Sequence, residues 1–278
     1  MPVRIVQSKQ NARLKELRRA AQHSSAAEGA PVAIEGLKML GEAHTAGLRI
    51  QCVFVAQEAE HLLDKLPLKP ETQVLLVPGD VLCSALATET PQPVAALVEP
   101  PVWSWENLLG PARGPDPLLV ILAGLQDPGN LGTILRSSEA FGARGVVSLP
   151  GTVYAWNQKS IRASAGSVFR VPLLRATFHD CVARLRQARI RILASTAREA
   201  GLATDTVLTG PLALLIGNEG SGVPAEAAAE ADGAITIPCP GAVESLNAAV
   251  ATSVLLYEAS RQRSAATGSC AKQDGVGR

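Results

Sequence analysis

Short apolar runs of strand length recur in the second half of the chain, and they constrain its fold more than any other feature. The clearest runs cover residues 118–123, 146–149, 190–195 and 212–217, and stretches with helical spacing separate them. A strand that is apolar along its whole length needs cover on both faces, as in parallel sheets flanked by crossover helices. The sequence therefore predicts an α/β domain built on a mostly parallel sheet.

A smaller α/β domain is predicted before it. Strand patterns alternate with helical patterns, the strands at 32–36, 50–56, 74–77 and 94–98 and the helices at 37–46, 57–65 and 79–87. This alternation over about a hundred residues is typical of an independent α/β unit.

Changes in composition set the expected domain boundaries. Residues 101–117 are rich in Pro and Gly and are predicted to be a linker between the domains 1–100 and 118–263. Residues 264–278, rich in Ser, Gly and Ala, are expected to be a disordered tail. Trp103 and Trp105 of the linker are expected either to pack between the domains or to stack on nucleic-acid bases.

The first twenty residues are strongly basic, although the net charge of the whole chain is only +1. A helix is predicted over residues 8–22, with Ser8 as its N-cap. Glu16 is the single acid among six cations, which are Arg4, Lys9, Arg13, Lys15, Arg18 and Arg19. Such a helix either faces phosphate groups or is an ordinary solvated helix, and the sequence leaves both interpretations open.

The sequence lacks the patterns of several common classes of protein. No apolar run reaches the roughly 18 residues of a membrane span and no signal peptide is evident, so we expect a cytoplasmic protein with no membrane association. The five cysteines are scattered, which predicts reduced thiols and no metal site. The glycines at 217, 220 and 222 lack dinucleotide-binding spacing, and no Gly-Lys-Ser/Thr phosphate loop is present.

Polar residues follow two of the predicted strands, in loops where we expect a ligand site. Ligands bind such sheets at the carboxyl ends of the strands. After the first strand, Asn130 is expected at the strand-to-helix turn, and Arg136 on the first turns of the helix. The loop 217–224 is rich in glycine, which either lets backbone approach a ligand or forms a tight turn alone.

A third loop, 237–247, leads into a final helix predicted over residues 245–262. Ser245 is either the N-cap of that helix or part of a site, and both roles are compatible. Asn247 lies further into the helix, has less reason to be a cap, and is the stronger candidate for a site.

Taken in this order, the three loops closely resemble the three motifs of the SpoU family of 2′-O-ribose RNA methyltransferases, which belongs to the SPOUT class. The resemblance covers residues 118–261. Residues 32–98, with Ile34-Glu35-Gly36 and the segment 90–95, resemble the small substrate-binding domain of the ribosomal-RNA members. Cys239 departs slightly from the family, which often has methionine there.

The resemblance implies a C-terminal trefoil knot, S-adenosylmethionine bound in a bent shape on the knotted loops, and a homodimer joined at those loops and the final helix. Knots are among the rarest topologies, and nothing in the periodicity suggests one. The cofactor-binding residues implied by the family are Ala194, Ser195, Thr196, Gly217, Asn218, Ile237, Pro238 and Leu246.

The catalytic residues implied by the family are Asn130, Arg136, Glu219, Ser245 and Asn247. Because a guanidinium stays protonated in proteins, we favour a role in which Arg136 holds the adjoining phosphate and stabilises the developing alkoxide. The alternative is that Arg136 acts as a general base. Glu219 is expected to fix either Arg136 or the knot, and methyl transfer of this kind needs no metal.

The expected function is S-adenosylmethionine-dependent 2′-O-methylation of RNA. The extra N-terminal domain favours 23S ribosomal RNA by analogy with family architecture. Two alternatives are a transfer-RNA 2′-O-methyltransferase and a catalytically silent RNA-binding protein of the same fold. The five intact candidate residues argue against the silent protein, which has no need for them.

Overall fold

The computed structural model describes residues 3–22, 29–66, 68–110, 116–197 and 200–273 of the 278-residue chain, with side chains through 266. The chain forms two compact units. The first unit comprises Met1–Val102 and Tyr154–Arg170, and the second comprises Trp103–Val153 and Val171–Arg278.

The first unit is a small α/β structure, as predicted. Its strands form a five-stranded mixed sheet in the order β1-β4-β3-β5-β2. Its elements up to residue 102 are β1 (Val3–Ile5), α1 (Ala12–Gln22), β2 (Val32–Glu35), α2 (Leu37–Thr45), β3 (Ile50–Ala56), a 3₁₀ helix (Gln57–Lys65), β4 (Gln73–Val77), α3 (Gly79–Cys83) and β5 (Val94–Val98). Strand β1 was not predicted, because it has only three residues and all of them are exposed.

The basic helix α1 begins later than predicted. The side-chain oxygen of Asn11 accepts hydrogen bonds from the backbone N–H groups of Arg13 (2.9 Å) and Leu14 (3.4 Å), so Asn11 is the N-cap. Ser8 instead accepts from the N–H of Gln10 at 3.2 Å, and the prediction that Ser8 caps the helix is wrong. Both residues are good caps, but the apolar face of α1 starts at Leu14, which is fully buried.

The second unit is built on a seven-stranded sheet in the order β10-β12-β9-β11-β6-β7-β8, in which every paired strand runs parallel to its neighbour. The elements from residue 103 onward are α4 (Trp105–Leu109), β6 (Leu118–Leu122), α5 (Pro128–Ala140), β7 (Gly145–Ser148), α6 (Gln158–Ser164), a 3₁₀ helix (Ser167–Phe169), β8 (Leu173–Arg175), α7 (Phe178–Gln187), β9 (Arg191–Ser195), β10 (Gly201–Leu202), β11 (Leu212–Ile216), α8 (Ala225–Ala229), β12 (Gly233–Thr236) and α9 (Ala248–Gln273). Strands β6 and β11 are buried at every position, which explains their continuous apolar sequences. The predicted α/β class with a mostly parallel sheet is confirmed.

Helix α6 lies between two strands of the second sheet in sequence but belongs to the first unit. The segment Tyr154–Arg170 that contains it was predicted to be part of the domain 118–263. The side-chain amide of Gln158 donates to the carbonyl of Ala33 on β2 at 2.7 Å, and Arg170 forms an ion pair with Glu42 of α2 at 2.6 Å. These long-range contacts draw the segment to the first unit, and no local sequence pattern announces them.

The predicted linker contains a short helix, α4, that packs within the second unit. The indole N–H of Trp105 donates to Asp180 at 3.1 Å, and the guanidinium of Arg184 lies 5.4 Å from the centre of the Trp105 ring. Trp105 therefore packs against α7 within the second unit, and base stacking by the tryptophans stays a prediction. Residues 111–115 of the predicted linker lie outside the described residues.

The final helix is longer than predicted. Helix α9 continues to Gln273, so the expectation of a disordered tail is wrong for residues 264–273, while residues 274–278 lie outside the described part. Alanine, lysine and glutamine are good helix formers and extend an existing helix at little cost. None of the described helices is long and apolar enough to cross a bilayer.

Candidate functional site

The three loops singled out in the sequence meet at one edge of the second sheet. Strands β12, β9, β11 and β6 are consecutive parallel neighbours, so their carboxyl ends point the same way. The loops that follow β6, β11 and β12 therefore leave the sheet on the same side, where ligands bind in folds of this kind.

A chain of hydrogen bonds links one side chain from each loop. The amide nitrogen of Asn130 donates to a carboxylate oxygen of Glu219 at 2.8 Å. The amide nitrogen of Asn247 donates in turn to the side-chain oxygen of Asn130 at 3.1 Å. The structure thus brings together three of the five predicted catalytic residues, and we call them the Glu219–Asn130–Asn247 chain.

Glu219 also anchors the backbone of the first loop. Its two carboxylate oxygens accept hydrogen bonds from the N–H groups of Gln126 and Asp127, each at 3.3 Å. Desolvation raises the pKa of Glu219, but the hydrogen bonds from Asn130 and the backbone outweigh it and lower the pKa below its usual value. The carboxylate is therefore bound to the first loop, and the expectation that it fixes Arg136 is wrong.

Asn130 lies inside helix α5 instead of the preceding turn. The helix begins at Pro128, and the side chain of Asp127 caps it by accepting from the N–H of Asn130 at 2.8 Å. Asp as N-cap followed by Pro at the first helical position is a strong start signal, and it places Asn130 in the first turn of the helix. Asn130 is consequently held by its backbone as well as by its side chain.

Asn247, not Ser245, is the N-cap of α9. Its side-chain oxygen accepts from the N–H groups of Ala249 (2.9 Å) and Val250 (3.3 Å) while its amide nitrogen donates to Asn130. The predicted assignment of these two residues is thereby reversed, because α9 starts at Ala248 and Ser245 lies in the exposed loop before it. Asn247 thus combines a structural role with membership of the polar chain.

Arg136 stands apart from this chain. It is exposed on α5, and its guanidinium group makes no hydrogen bond or ion pair with other residues in the described part of the protein. Six residues of helix place it about 240° around the axis from Asn130. The residue that shares a face with Asn130 is Ser137, whose hydroxyl lies 2.6 Å from that of Ser253 on α9. Arg136 is therefore available to an external ligand.

The loop after β11 is closed on itself. The backbone N–H and carbonyl of Asn218 both bond to Gly222 at 2.9 Å, and the Asn218 side chain accepts from the N–H of Gly220 at 2.8 Å and donates to the carbonyl of Gly124 at 2.8 Å. A Cβ atom on Gly217 would lie 2.0 Å from the carbonyl carbon of Gly222. Gly217 and Asn218 thus serve the shape of the loop, and their predicted cofactor contacts stay predictions.

The loop after β12 is open. Residues 238–245 are exposed apart from Cys239, which is half-buried, and in the described structure no backbone N–H of 237–246 donates to a backbone carbonyl. Ile237 and Leu246 at its ends are half-buried, and Pro238 is exposed. A loop with free backbone groups can bind a ligand by its main chain, as the family implies for these positions.

The end of β9 borders this open loop. Strand β9 pairs with β12, and the N–H of Thr196 donates to the carbonyl of Ile235 at 3.0 Å. Ala194 is buried, whereas Ser195 and Thr196 are half-buried. These three predicted cofactor-binding residues therefore lie beside the open loop that contains Ile237, Pro238 and Leu246. Among the described residues no cluster of His, Cys, Asp and Glu could hold a metal ion.

Thr152 is a supporting residue that the sequence reading missed. Its hydroxyl donates to the carbonyl of Leu122 at 2.9 Å and accepts from the N–H of Gly124 at 3.1 Å, which fixes the turn after β6. The signal in the sequence was its place just after a strand, β7, of the same parallel sheet.

Two family models match the chain. The SpoU rRNA Methylase family matches residues 117–257, and the MRM3-like substrate binding domain matches residues 11–96. The chain belongs to the SpoU rRNA methylase family. The three motif loops and the Glu219–Asn130–Asn247 chain all lie inside the matched region.

Related proteins of the SpoU family cover most of the chain. The 23S rRNA (guanosine(2553)-2′-O)-methyltransferase RlmP of Bacillus subtilis (strain 168) is 31% identical over 226 residues, which are 81% of this chain and 86% of that protein. The 23S rRNA (uridine(2479)-2′-O)-methyltransferase of Streptomyces viridochromogenes is 34% identical over 197 residues, which are 69% of this chain and 68% of that protein.

Solved structures of SpoU-type enzymes share the fold of both units. The SpoU methyltransferase AviRb from Streptomyces viridochromogenes, in complex with AdoMet, has a TM-score of 0.79 at 28% identity and covers 91% of this chain and 98% of its own. An rRNA methyltransferase from Sinorhizobium meliloti has a TM-score of 0.80 at 31% identity, with 94% and 98% covered.

Proposed function

We propose that this protein transfers a methyl group from S-adenosylmethionine to a ribose 2′-hydroxyl of 23S ribosomal RNA. The observation that carries the proposal is the Glu219–Asn130–Asn247 chain, which ties the three motif loops of the SpoU family together at one edge of the sheet. Support for the substrate comes from the relatives, which are named as 23S rRNA 2′-O-methyltransferases.

The residues fit the cofactor. The loop 237–246 offers unpaired backbone groups, and the half-buried Ser195 and Thr196 line the neighbouring strand end. A mostly uncharged surface with backbone donors and acceptors suits an adenosine and an amino-acid tail. We assign cofactor binding to this loop and to β9, and the knot that the family implies remains a prediction.

S-adenosylmethionine supplies, when bound, a methyl group on a positively charged sulfur. Transfer forms a bond between the methyl carbon and the ribose 2′-oxygen, breaks the carbon–sulfur bond and releases the hydroxyl proton to solvent. The unpaired Arg136 would hold the adjoining phosphate and stabilise negative charge that develops on the 2′-oxygen. Glu219 and Asn130 have a positioning role, because their hydrogen bonds fix the loop from which α5 begins.

Replacing Arg136 tests this assignment. We expect Arg136→Ala to lower the rate of methyl transfer from labelled cofactor to 23S rRNA by at least about 100-fold, because a lost charge-stabilising donor has that effect in other enzymes. Affinity for S-adenosylmethionine, measured by calorimetry, should stay within a few-fold of the wild type. Arg175→Ala removes another exposed arginine of the same unit and should leave transfer unchanged.

Loss of cofactor binding in Arg136→Ala would contradict the assigned role. Full transfer by the same variant would remove Arg136 from the mechanism.

We also propose that the protein works as a homodimer through α9. Val250, Val254 and Tyr257 are exposed at 49%, 38% and 55%, and their spacing puts them on one face of the helix. Apolar residues grouped on an exposed helix face mark an interaction surface. Tyr257→Asp should convert a dimer to a monomer in sedimentation, whereas a wild-type monomer would contradict the proposal. The cytoplasmic location stays a prediction.

A further inference from the structure

The first unit contains a cavity of about 460 Å³ at the start of α2. Its volume lies within the range of small-ligand sites, which are lined mainly by apolar groups with a few polar groups that fix orientation. Apolar side chains of Leu62, Pro93 and Val94 form part of its wall. The polar lining includes Lys38, Gln92 and Arg162.

One wall of the cavity is rigidly built. Glu35 at the end of β2 is buried, with 8% of its surface exposed. Its carboxylate accepts hydrogen bonds from the hydroxyl of Thr88 at 2.9 Å and from the N–H of Gln92 at 2.8 Å. The carboxylate of Glu35 thus holds the segment 88–92 in place. This wall of the cavity is formed without a ligand.

Arg162 reaches the cavity from outside the part of the chain that matches the substrate-binding domain. It lies on α6, beyond the matched residues 11–96. Gln158 fastens that helix to β2, and Arg170 fastens the end of the segment to α2. The rings of Trp156 and Phe169 stack at 6.0 Å and stiffen the segment between these two contacts. Arg162 is therefore placed at the cavity by α6, a helix that hydrogen bonds fix to the rest of the first unit.

The cavity carries two cations that are free to bind an anion. Lys38 and Arg162 are both exposed, and the charged group of neither side chain makes a hydrogen bond or ion pair with another described residue. Two unpaired cations beside an apolar wall suit a ligand with a phosphate and a flat ring. A base in a duplex cannot enter such a cavity, whereas an unpaired RNA base can be turned outward and bound on its face and edge.

We propose that this cavity binds one unpaired nucleotide of the RNA substrate, with Lys38 and Arg162 on its phosphate and Gln92 at the edge of its base. The inference rests on the proposed function. It adds an RNA contact in the first unit to the contact proposed for Arg136 in the second unit. It also gives α6 a role, because that helix supplies half of the positive charge.

The test compares the full-length wild type with the double variant Lys38→Ala/Arg162→Ala on a single-stranded RNA oligonucleotide and on its duplex. The double variant loses one phosphate contact, so the slope of log affinity against log salt should fall by about 0.7 for a single strand. We expect at least a tenfold loss of single-strand affinity and a smaller loss for the duplex. Arg162→Lys should retain most of the binding.

Lys69→Ala is the matched control, because Lys69 is an exposed cation that lines a different cavity of the same unit. An unchanged salt slope in the double variant, an equal loss for single strand and duplex, or the same loss in Lys69→Ala would overturn the pocket. In methyl-transfer assays the double variant should raise KM for 23S rRNA while its affinity for S-adenosylmethionine is retained. A wild-type KM would reject the pocket alone, whereas a wild-type protein without transfer activity would reject the proposed function.

Discussion

The loops after β11 and β12 lie at the same edge of one sheet but are built in opposite ways. Residues 217–223 close on themselves through the backbone and side chain of Asn218, and Gly217 leaves no room for a side chain. Residues 237–246 are mostly exposed, and within the described part of the chain their backbone N–H groups have no backbone partner. The second loop therefore offers more of its backbone N–H groups to a ligand than the first.

The comparison separates two uses of glycine and proline that look alike in a sequence. In the first loop a glycine is needed because backbone meets backbone, so the tight-turn interpretation explains Gly217. In the second loop Pro238, Pro240 and Gly241 interrupt regular structure and keep the main chain unbonded. The contacts within the first loop fix its own shape, and the second is the loop to which we assign cofactor binding.

The largest expected effect that distinguishes the loops comes from Gly217→Ala. The new Cβ would meet the backbone of Gly222 and Val223, and no flexible side chain is there to yield. We expect a loss of at least about 3 kcal/mol in the free energy of unfolding, measured with urea.

Gly241→Ala is the matched substitution in the open loop, where a Cβ would meet nothing within 4 Å. It should change the free energy of unfolding by no more than about 0.5 kcal/mol. An equal loss in the free energy of unfolding for Gly217→Ala and Gly241→Ala would contradict the distinction between a closed and an open loop.

A smaller effect is expected from Glu219→Gln, which removes the charge that ties the closed loop to the start of α5. At neutral pH the variant should lose about 1 kcal/mol of stability, a modest value because the carboxylate is exposed. Since folding lowers the pKa of Glu219, its ionised form stabilises the native state above the usual pKa of 4.5. That contribution is lost as the pH falls below 4.5 toward the lowered pKa.

The difference between wild type and Glu219→Gln should therefore be present at about pH 7 and shrink toward about pH 3 in urea unfolding. Glu226→Gln, at an exposed position on α8, serves as the control and should show a smaller difference. A difference for Glu219→Gln that does not depend on pH would mean that the charge of this residue is not what holds the loops.

The fold could be predicted well because its buried strands consist mainly of apolar residues. Strand β5 matches the predicted 94–98, and β3 matches 50–56, since segments made almost entirely of apolar residues are most stable in the interior. Strand β1 and helix α4 could not be predicted, because one is an exposed edge strand and the other a single five-residue helix in a Pro- and Gly-rich stretch.

The site could be predicted as a set of residues but not as a geometry. Asn130, Glu219 and Asn247 were expected together, and the structure joins them. Which of Ser245 and Asn247 caps α9 depends on where the helix starts, and element ends are the least predictable part of a sequence. The docking of α6 on the first unit depends on contacts more than a hundred residues apart, such as Gln158 with Ala33.

The central claim is that this protein places a methyl group on a ribose of 23S ribosomal RNA, and mapping of 2′-O-methyl groups tests it most directly. RNA from cells with the wild-type protein should carry a 2′-O-methyl group at a position that is unmodified in cells without it and in cells with Arg136→Ala. Identical maps of 23S rRNA in all three would contradict the account, and a difference found only in transfer RNA would contradict the substrate.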